Sequence, residues 1–513
     1  MQPLGDDPEG APSTCLGCGC ACDDIIVEVR DGRIVEAHNA CELGKRWFGD
    51  GKVSDEVRVR GESVTVEEAL DAAAELIGGA RRVLVYLAPD ITCEAQRAAV
   101  ALADRLHAVV DNITSSTAAG GTLAAQRRGR PTASLGEIRN RADLLVFWGV
   151  DPADRYPRFL TRYAPDPEGI FVPGGRSDRT VVAIDIGDER GPVDADVRIT
   201  LAAEDEQEAL ARLRAATLKR VAAAAAATAA GKPAKSGEKD ASDEGKSGAN
   251  GTSDSRESFS GTKEANDSGE SVAAAKNDDS AVATAREEER PEGKLDELSA
   301  RFDSARYAVI VYDAEPRTRD VAHEGDGDRD GDDEARDRSW RAESLITLAQ
   351  QLNASIRCSL MALRAGGNRN GAEAVMTWQT GFPMAVDYSR GVPRYRPDDG
   401  AAILLERGAV DAIVVVGNAR AAGIPSMDGV PRVVIGPWAS QLEPAAEVAI
   451  DTGVAGIHEG GMAFRMDDIP LPLRPSLPGP PSAPGTAFVV EALGARIRAR
   501  SNGNRSKGER GSR

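Results

Sequence analysis

The chain has 513 residues, with 63 Lys+Arg, 82 Asp+Glu, 4 His and 7 Cys, and a formal net charge of −19. That length allows several hydrophobic cores, and the acidic balance argues against nucleic acid as a partner, because phosphate binding needs a basic surface. Four widely spaced histidines (His38, His107, His323, His458) make a poor start for a His-rich binuclear hydrolase, no run of 18 apolar residues is present to span a membrane, and MQPLGDDPEG lacks a signal-peptide pattern, so a cytoplasmic chain with reduced thiols is expected.

In chain order, residues 25–29 and 33–36 are short β-type runs around Asp31-Gly32, a strong hairpin signal. RVLVYL (82–87) reads as a buried strand, 94–106 as a helix, and 108–110, DLLVF (143–147) and 180–186 as further strands. Residues 204–230 read as a long helix whose Ala-rich end runs into a polar stretch. The alternation then resumes, with strands at 307–312, 355–360, 411–416 and 432–435 and helices at 344–352 and 488–497. Buried apolar strands alternating with helical patterns indicate an α/β protein with parallel sheets covered on both faces.

The charge is uneven. Residues 231–290 hold 9 bases and 14 acids and almost no large apolar side chains, so they cannot offset their chain entropy and are expected to be disordered. Residues 313–338 hold 11 acids and 5 bases and read as a second, solvated acidic insertion. DGDRDGDDE within it is no calcium loop, since the flanking amphipathic helices are missing. The expected plan is an N-terminal cysteine module (1–60), an α/β unit (61–230), the first insertion, further α/β structure (291–312 and 339–480) around the second, a C-terminal helix (481–500) and a basic tail (501–513).

Five of the seven cysteines, Cys15, Cys18, Cys20, Cys22 and Cys41, fall within 27 residues. Cys15, Cys18, Cys22 and Cys41 make C-x2-C-x3-C-x18-C, with Cys20 to spare. Four thiolates suit a [4Fe–4S] cluster and equally a structural zinc; the spacing leaves both open. Lys45, just after Cys41, is placed to lie between a cluster and a second redox cofactor.

CLGCGCACDDIIVEV and NACELGKRWF resemble the start of the B-type subunit of formylmethanofuran dehydrogenase, of the molybdopterin oxidoreductases. The resemblance continues through TCEAQRAAVALADRLHAVVDN, RNRADLLVFWGVDPADRYPRF, GGRSDRTVVAIDI, LRAGGNRNGAEAVMTWQTGFP, VDYSRGVPRY and GIHEGGMAFRMDDIPLPLR, nearly all of the chain outside the insertions and tail. It implies a [4Fe–4S] cluster on Cys15, Cys18, Cys22 and Cys41, and molybdopterin guanine dinucleotides carrying molybdenum or tungsten along the α/β units. Asn112, Gly149, Asp151, Gly175, Arg176, Asn368, Thr377 and Gly381 are expected in loops at the carboxyl ends of strands, where backbone N–H groups can meet phosphate.

One departure stands out. The family's metal-ligating Cys-His pair aligns with Ala118-Ala119, within DNITSSTAAG, and a methyl group can neither ligate a metal nor move a proton. Arg364, in LRAGGNRNG, matches an active-site arginine of the family. The loss resembles the bacterial formyltransferase/hydrolase complex, in which a redox-degenerate B-type subunit assembles with A-, C- and D-type subunits and formyl chemistry is carried elsewhere. The resemblance therefore implies a component of one-carbon, tetrahydromethanopterin-linked metabolism without its own redox step. The alternative is a working molybdenum or tungsten subunit that interconverts CO2 and formylmethanofuran.

Overall fold

A computed structural model describes residues 11–153, 155–229, 291–315, 331–421 and 424–511. Residues 1–219 and 291–513 form one compact unit; the second, 220–290, is described only over 220–229. The disorder expected for 231–290 thus lies outside the described residues.

The apolar runs become strands. Val83–Leu87, Leu144–Trp148 and Ala412–Val416 are buried at every position, as strands with both faces covered must be. One sheet has five parallel strands in the order Arg357–Leu363, Tyr307–Asp313, Leu144–Trp148, Thr180–Ile186, Val197–Leu201. The other has nine strands. Its parallel centre runs Val109–Asn112, Val83–Leu87, Ala412–Val416, Arg432–Gly436, Val448–Asp451. Antiparallel pairs close its edges: Val386–Asp387 with Arg394–Tyr395 on one side, Val57–Val59 with Glu62–Ser63 on the other.

Each sheet reverses its direction of growth once, between Leu144–Trp148 and Tyr307–Asp313 in the first and between Val83–Leu87 and Ala412–Val416 in the second. The crevice beyond the carboxyl ends at such a reversal is where open α/β sheets take ligands. Helices start at strong local signals. Thr65 and Glu68 cap Val66–Gly79 reciprocally, and the Thr92 hydroxyl accepts from Ala95 N at 3.1 Å to open Cys93–Leu106. The cysteine module carries the expected hairpin, Ile26–Arg30 against Arg33–His38. Among the described residues, no helix is long and apolar enough to cross a membrane.

Three expectations are corrected. The α/β units are not consecutive blocks of sequence, because both sheets take strands from either side of 220–290. The second insertion is shorter than 313–338: Asp313 ends a strand, Glu315 is buried, and Gly331–Leu352 is one helix that begins inside the supposed loop. Lastly, the C-terminal helix runs Thr486–Gly511, well into the stretch read as a basic tail after the helix.

Candidate functional site

The loop that carries the first cysteines is closed by its own backbone, with Ser13 N donating to Ile25 O (2.7 Å), Cys15 N to Cys22 O (2.9 Å) and Ala21 N to Cys18 O (3.1 Å). Cys15, Cys18, Cys20 and Cys22 are buried, Cys41 sits half-buried at the start of the helix Glu42–Phe48, and all seven thiols are free. Two glycines line the pocket: a Cβ on Gly17 or Gly44 would lie 3.3 Å from Cys15 Sγ, and one on Gly44 also 3.9 Å from Cys41 Sγ. Burial pushes the Cys15 and Cys22 thiols up, while a hydrogen bond from Cys20 holds Cys18 down.

Two guanidiniums face this pocket. The positive charges of Arg158 and Arg162 act on Cys22, opposing the upward push of burial on its thiol. They are held there by Asp24, which takes 2.6 Å contacts from each, and by Asp23, 2.6 Å from Arg162. Among the described residues, the one group of three or more metal-type ligand atoms mutually within 4.8 Å is Glu28, Glu36 and His38 on the hairpin, so no three of the thiols are that close. A tetrahedral zinc with about 2.3 Å bonds would hold its sulfurs about 3.8 Å apart. Lys45 lies on the exposed side of its helix and pairs with Glu42 at 2.9 Å.

The cysteine loop rests directly on the turn that follows the strand Arg357–Leu363. Gly367 N donates to Leu16 O at 2.8 Å, and a Cβ on Gly366 would lie 2.7 Å from Leu16 O and Gly17 O. In that turn Arg364, 5% exposed, has a partner on each of its side-chain nitrogens. Its Nε donates to Glu315 Oε1 (2.5 Å), one Nη to Glu373 Oε1 (2.6 Å) and the other to Thr114 Oγ1 (3.1 Å). Thr114 Oγ1 in turn donates to Glu373 (2.7 Å), and Arg369 approaches the second Glu315 oxygen at 3.2 Å. Burial acts to raise the Glu315 carboxyl, but Arg364 and Arg369 outweigh it and hold it below the usual range. Beside it, Arg155 pairs with Asp313 and donates to Glu315 O at 2.9 Å. Burial pushes Asp313 up to about 6 against that guanidinium. Three arginines and three carboxylates thus neutralise one another at the carboxyl end of the five-stranded sheet, across from the end of Val109–Asn112.

Asp111 closes the adjoining turn, with its carboxylate accepting from Asn112 N (2.8 Å), Ala385 N (2.8 Å), Ala401 N (2.6 Å) and the Ser115 hydroxyl (2.7 Å). Ser116 and Thr117 donate back to Ile113 O at 3.0 and 2.9 Å. Ala118 follows one helical turn after Thr114, donating its N–H to Thr114 O at 2.9 Å, and separates the short helices Thr114–Thr117 and Ala119–Arg128.

No family model matches the chain. Two curated proteins do, over nearly their whole lengths. Both are B-type subunits of a tungsten-containing formylmethanofuran dehydrogenase 2. The one from Methanococcus maripaludis is 27% identical over 494 residues, covering 93% of this chain and 96% of its own. The one from Methanocaldococcus jannaschii is 28% identical over 475 residues, covering 90% and 92%. The chain is a relative of the B-type subunit of formylmethanofuran dehydrogenase. Among solved structures, a chain of the formyltransferase/hydrolase complex from Methylorubrum extorquens, determined with methylofuran, shares the fold with a TM-score of 0.59 and 21% identity, over 87% of this chain and 99% of that one. The resemblance to the B-type subunit and the α/β class read from the sequence both hold.

Of the positions that this resemblance singles out, several do lie at carboxyl ends of strands: Asn112 ends one, Gly149 and Asp151 follow Leu144–Trp148, and Asn368 follows Arg357–Leu363. The side-chain amides of the two asparagines are already used. Asn112 Nδ2 donates to Pro383 O (2.9 Å) and its Oδ1 accepts from Thr114 N (2.9 Å). Asn368 donates to Ile91 O and accepts from Phe464 N, and Asp151 accepts from Ala153 N.

Two groups are elsewhere. Gly175 and Arg176 precede the strand Thr180–Ile186, at its amino end, where Arg176 pairs with Asp196 at 2.7 Å. Thr377 and Gly381 end the helix Arg369–Thr380, and a helix C-terminus presents carbonyls, which repel phosphate. Cys93 and Cys358 are buried, with thiols pushed up by desolvation to about 11 and about 12, as befits cysteines that pack as small apolar residues.

Sequence reading did not find Glu315, Glu373, Thr114, Arg158 or Arg162. A partial signal existed for the last two: they stand four apart in PRFLTR, the spacing of one helical face, though the double acid they meet, Asp23-Asp24, is distant in the sequence.

Proposed function

We propose that this chain is the B-type subunit of a multisubunit complex of the formylmethanofuran dehydrogenase or formyltransferase/hydrolase kind, assembled with A-, C- and D-type subunits in one-carbon metabolism, and that it performs no redox step of its own. The observation that carries the second half is the combination around 114–119: alanines where a metal ligand and proton carrier would be needed, neighbouring hydroxyls bonded to Ile113 O, and an Arg364 each of whose side-chain nitrogens is already held, by Glu315, Glu373 or Thr114. These residues do not fit a pterin-held molybdenum or tungsten that must be ligated by the protein, so no step is derived through one.

The thiol pocket, by contrast, fits a [4Fe–4S] cluster. Cys15, Cys18, Cys22 and Cys41 would hold it, the glycines leave room for it, and Arg158 and Arg162 offset the negative charge that four thiolates bring. The thiol spacing is wider than zinc requires, which favours the cluster. Such a cluster supplies electron transfer when bound; without a redox partner in this chain it serves as a staple for the N-terminal module.

A working oxidoreductase is the second reading, favoured by the retained thiol quartet and by the relatives' tungsten. Elemental analysis of the purified complex separates them. The expected result is about four irons per chain and molybdenum and tungsten far below stoichiometry. One molybdenum or tungsten per chain overturns the redox-inactive reading, and one zinc with no iron overturns the cluster. Cys41→Ser should strip most of the iron, whereas Cys20→Ala should keep it.

A further inference from the structure

A concentration of unbalanced positive charge lies away from this site, at the amino ends of the central strands of the nine-stranded sheet. Arg82 leads into Val83–Leu87, and Arg407 precedes Ala412–Val416. Arg390, Arg394 and Arg396 come from the segment that turns back after Val386–Asp387, within VDYSRGVPRY and the residue after it. These five arginines, with Asp387 and Asp399, surround one cleft of about 330 Å3.

The two carboxylates are committed. Asp399 accepts from Arg396 and, at 3.0 Å, from Arg407, and the Arg396 hydrogen bond foremost holds its carboxyl down. Asp387 accepts from Ser389 N at 2.7 Å and lies 3.9 Å from Arg82. Arg390 and Arg394 have no carboxylate within 4.0 Å and no side-chain hydrogen bond among the described residues.

A solvated basic face is the ordinary account of exposed arginines. It does not explain why five of them converge on one concavity in a chain of net charge −19, where acids are plentiful and like charges repel. Nor is the segment a loose one. Tyr388 N donates to Ala108 O (3.0 Å), Gly391 closes a turn onto Tyr388 O (2.8 Å) with φ +76°, and Tyr395 stacks on Phe382 with ring centroids 4.9 Å apart. That framework fixes the backbone from which Arg390, Arg394 and Arg396 project.

Guanidinium forks match the geometry of phosphate and carboxylate oxygens, and the volume is that of a small-molecule site. A monoanion would leave most of the excess charge unmet. We propose that this cleft binds a small, multiply charged oxyanion, with Arg390 and Arg394 as its principal contacts.

Titration calorimetry on the intact chain at low ionic strength tests this with inorganic pyrophosphate, citrate and acetate as probes. Saturable binding of one pyrophosphate or citrate per chain is expected, with acetate at least tenfold weaker. A tenfold preference for pyrophosphate marks a phosphate-bearing ligand, and the reverse preference a polycarboxylate. Arg390→Ala/Arg394→Ala should weaken binding at least tenfold and Arg390→Gln alone by less, while Arg30→Ala on the distant hairpin should leave it unchanged. No saturable binding, equal binding by the double variant, or an equal loss in Arg30→Ala overturns the proposal.

Discussion

Arg364 is legible in the sequence as part of LRAGGNRNG, but what it does here depends on residues that are not. One of its two carboxylate partners, Glu315, stands two places beyond the strand Tyr307–Asp313, at the head of a stretch whose composition reads as solvated acid. Charge counting averages over a window; it cannot separate one carboxylate at 4% exposure from the acids that follow it in the sequence. Once placed, Glu315 is the shared partner of two guanidiniums. Removing one member of a buried ionic network leaves the others uncompensated and typically costs about 3–5 kcal/mol. Glu315→Ala should therefore lower the stability measured by urea unfolding by an amount in that range, and an unchanged midpoint would contradict a buried network. Thr114 and Glu373 escape sequence reading for a related reason: they reach Arg364 from other elements of the fold, and Thr114 stands 250 positions away along the chain.

At the scale of elements, strands were legible because burial leaves a local mark, whereas the helix Gly331–Leu352 starts well before the stretch 344–352 that reads as helical. Every parallel strand anticipated from an apolar run is present, with ends shifted by a few residues. Which end of a strand a loop occupies is not a local property. Gly174–Arg176 and Thr377–Gly381 carry the same glycines and polar residues as true phosphate loops, yet one precedes a strand and the other ends a helix. The turn at 364–368 shows what a glycine can be fixed for instead. Gly367 has φ +92°, and a Cβ there would lie 2.4 Å from the Pro89 carbonyl oxygen. That oxygen cannot yield cheaply, because it is backbone, and the left-handed φ strains any side chain there. Gly367→Ala should lower thermal stability and, since the same residue's N–H holds Leu16 O, should also reduce bound iron. Loss of stability with iron fully retained would mean that the turn does not anchor the cysteine loop.

For the whole molecule, the net charge says little about function, since residues 231–290 carry a net −5 in a segment outside the described structure. Exchanging that segment for a Gly/Ser linker should leave the unfolding midpoint unchanged; a large fall would assign it a structural part. The interleaved sheets were the least legible feature, because pairing Val83–Leu87 with Ala412–Val416 joins segments over 300 residues apart. That arrangement has a consequence for synthesis. Neither sheet can be completed by the first half of the chain: the strand next to Leu144–Trp148 at the reversal is made after residue 306, and the last strand of the other sheet's parallel centre ends at Asp451. Nascent chains therefore leave the ribosome with apolar strand edges open for most of translation, and long-range pairing of this kind is slow and prone to aggregation. Production of the folded protein should be limited by chaperone supply more than by its final stability.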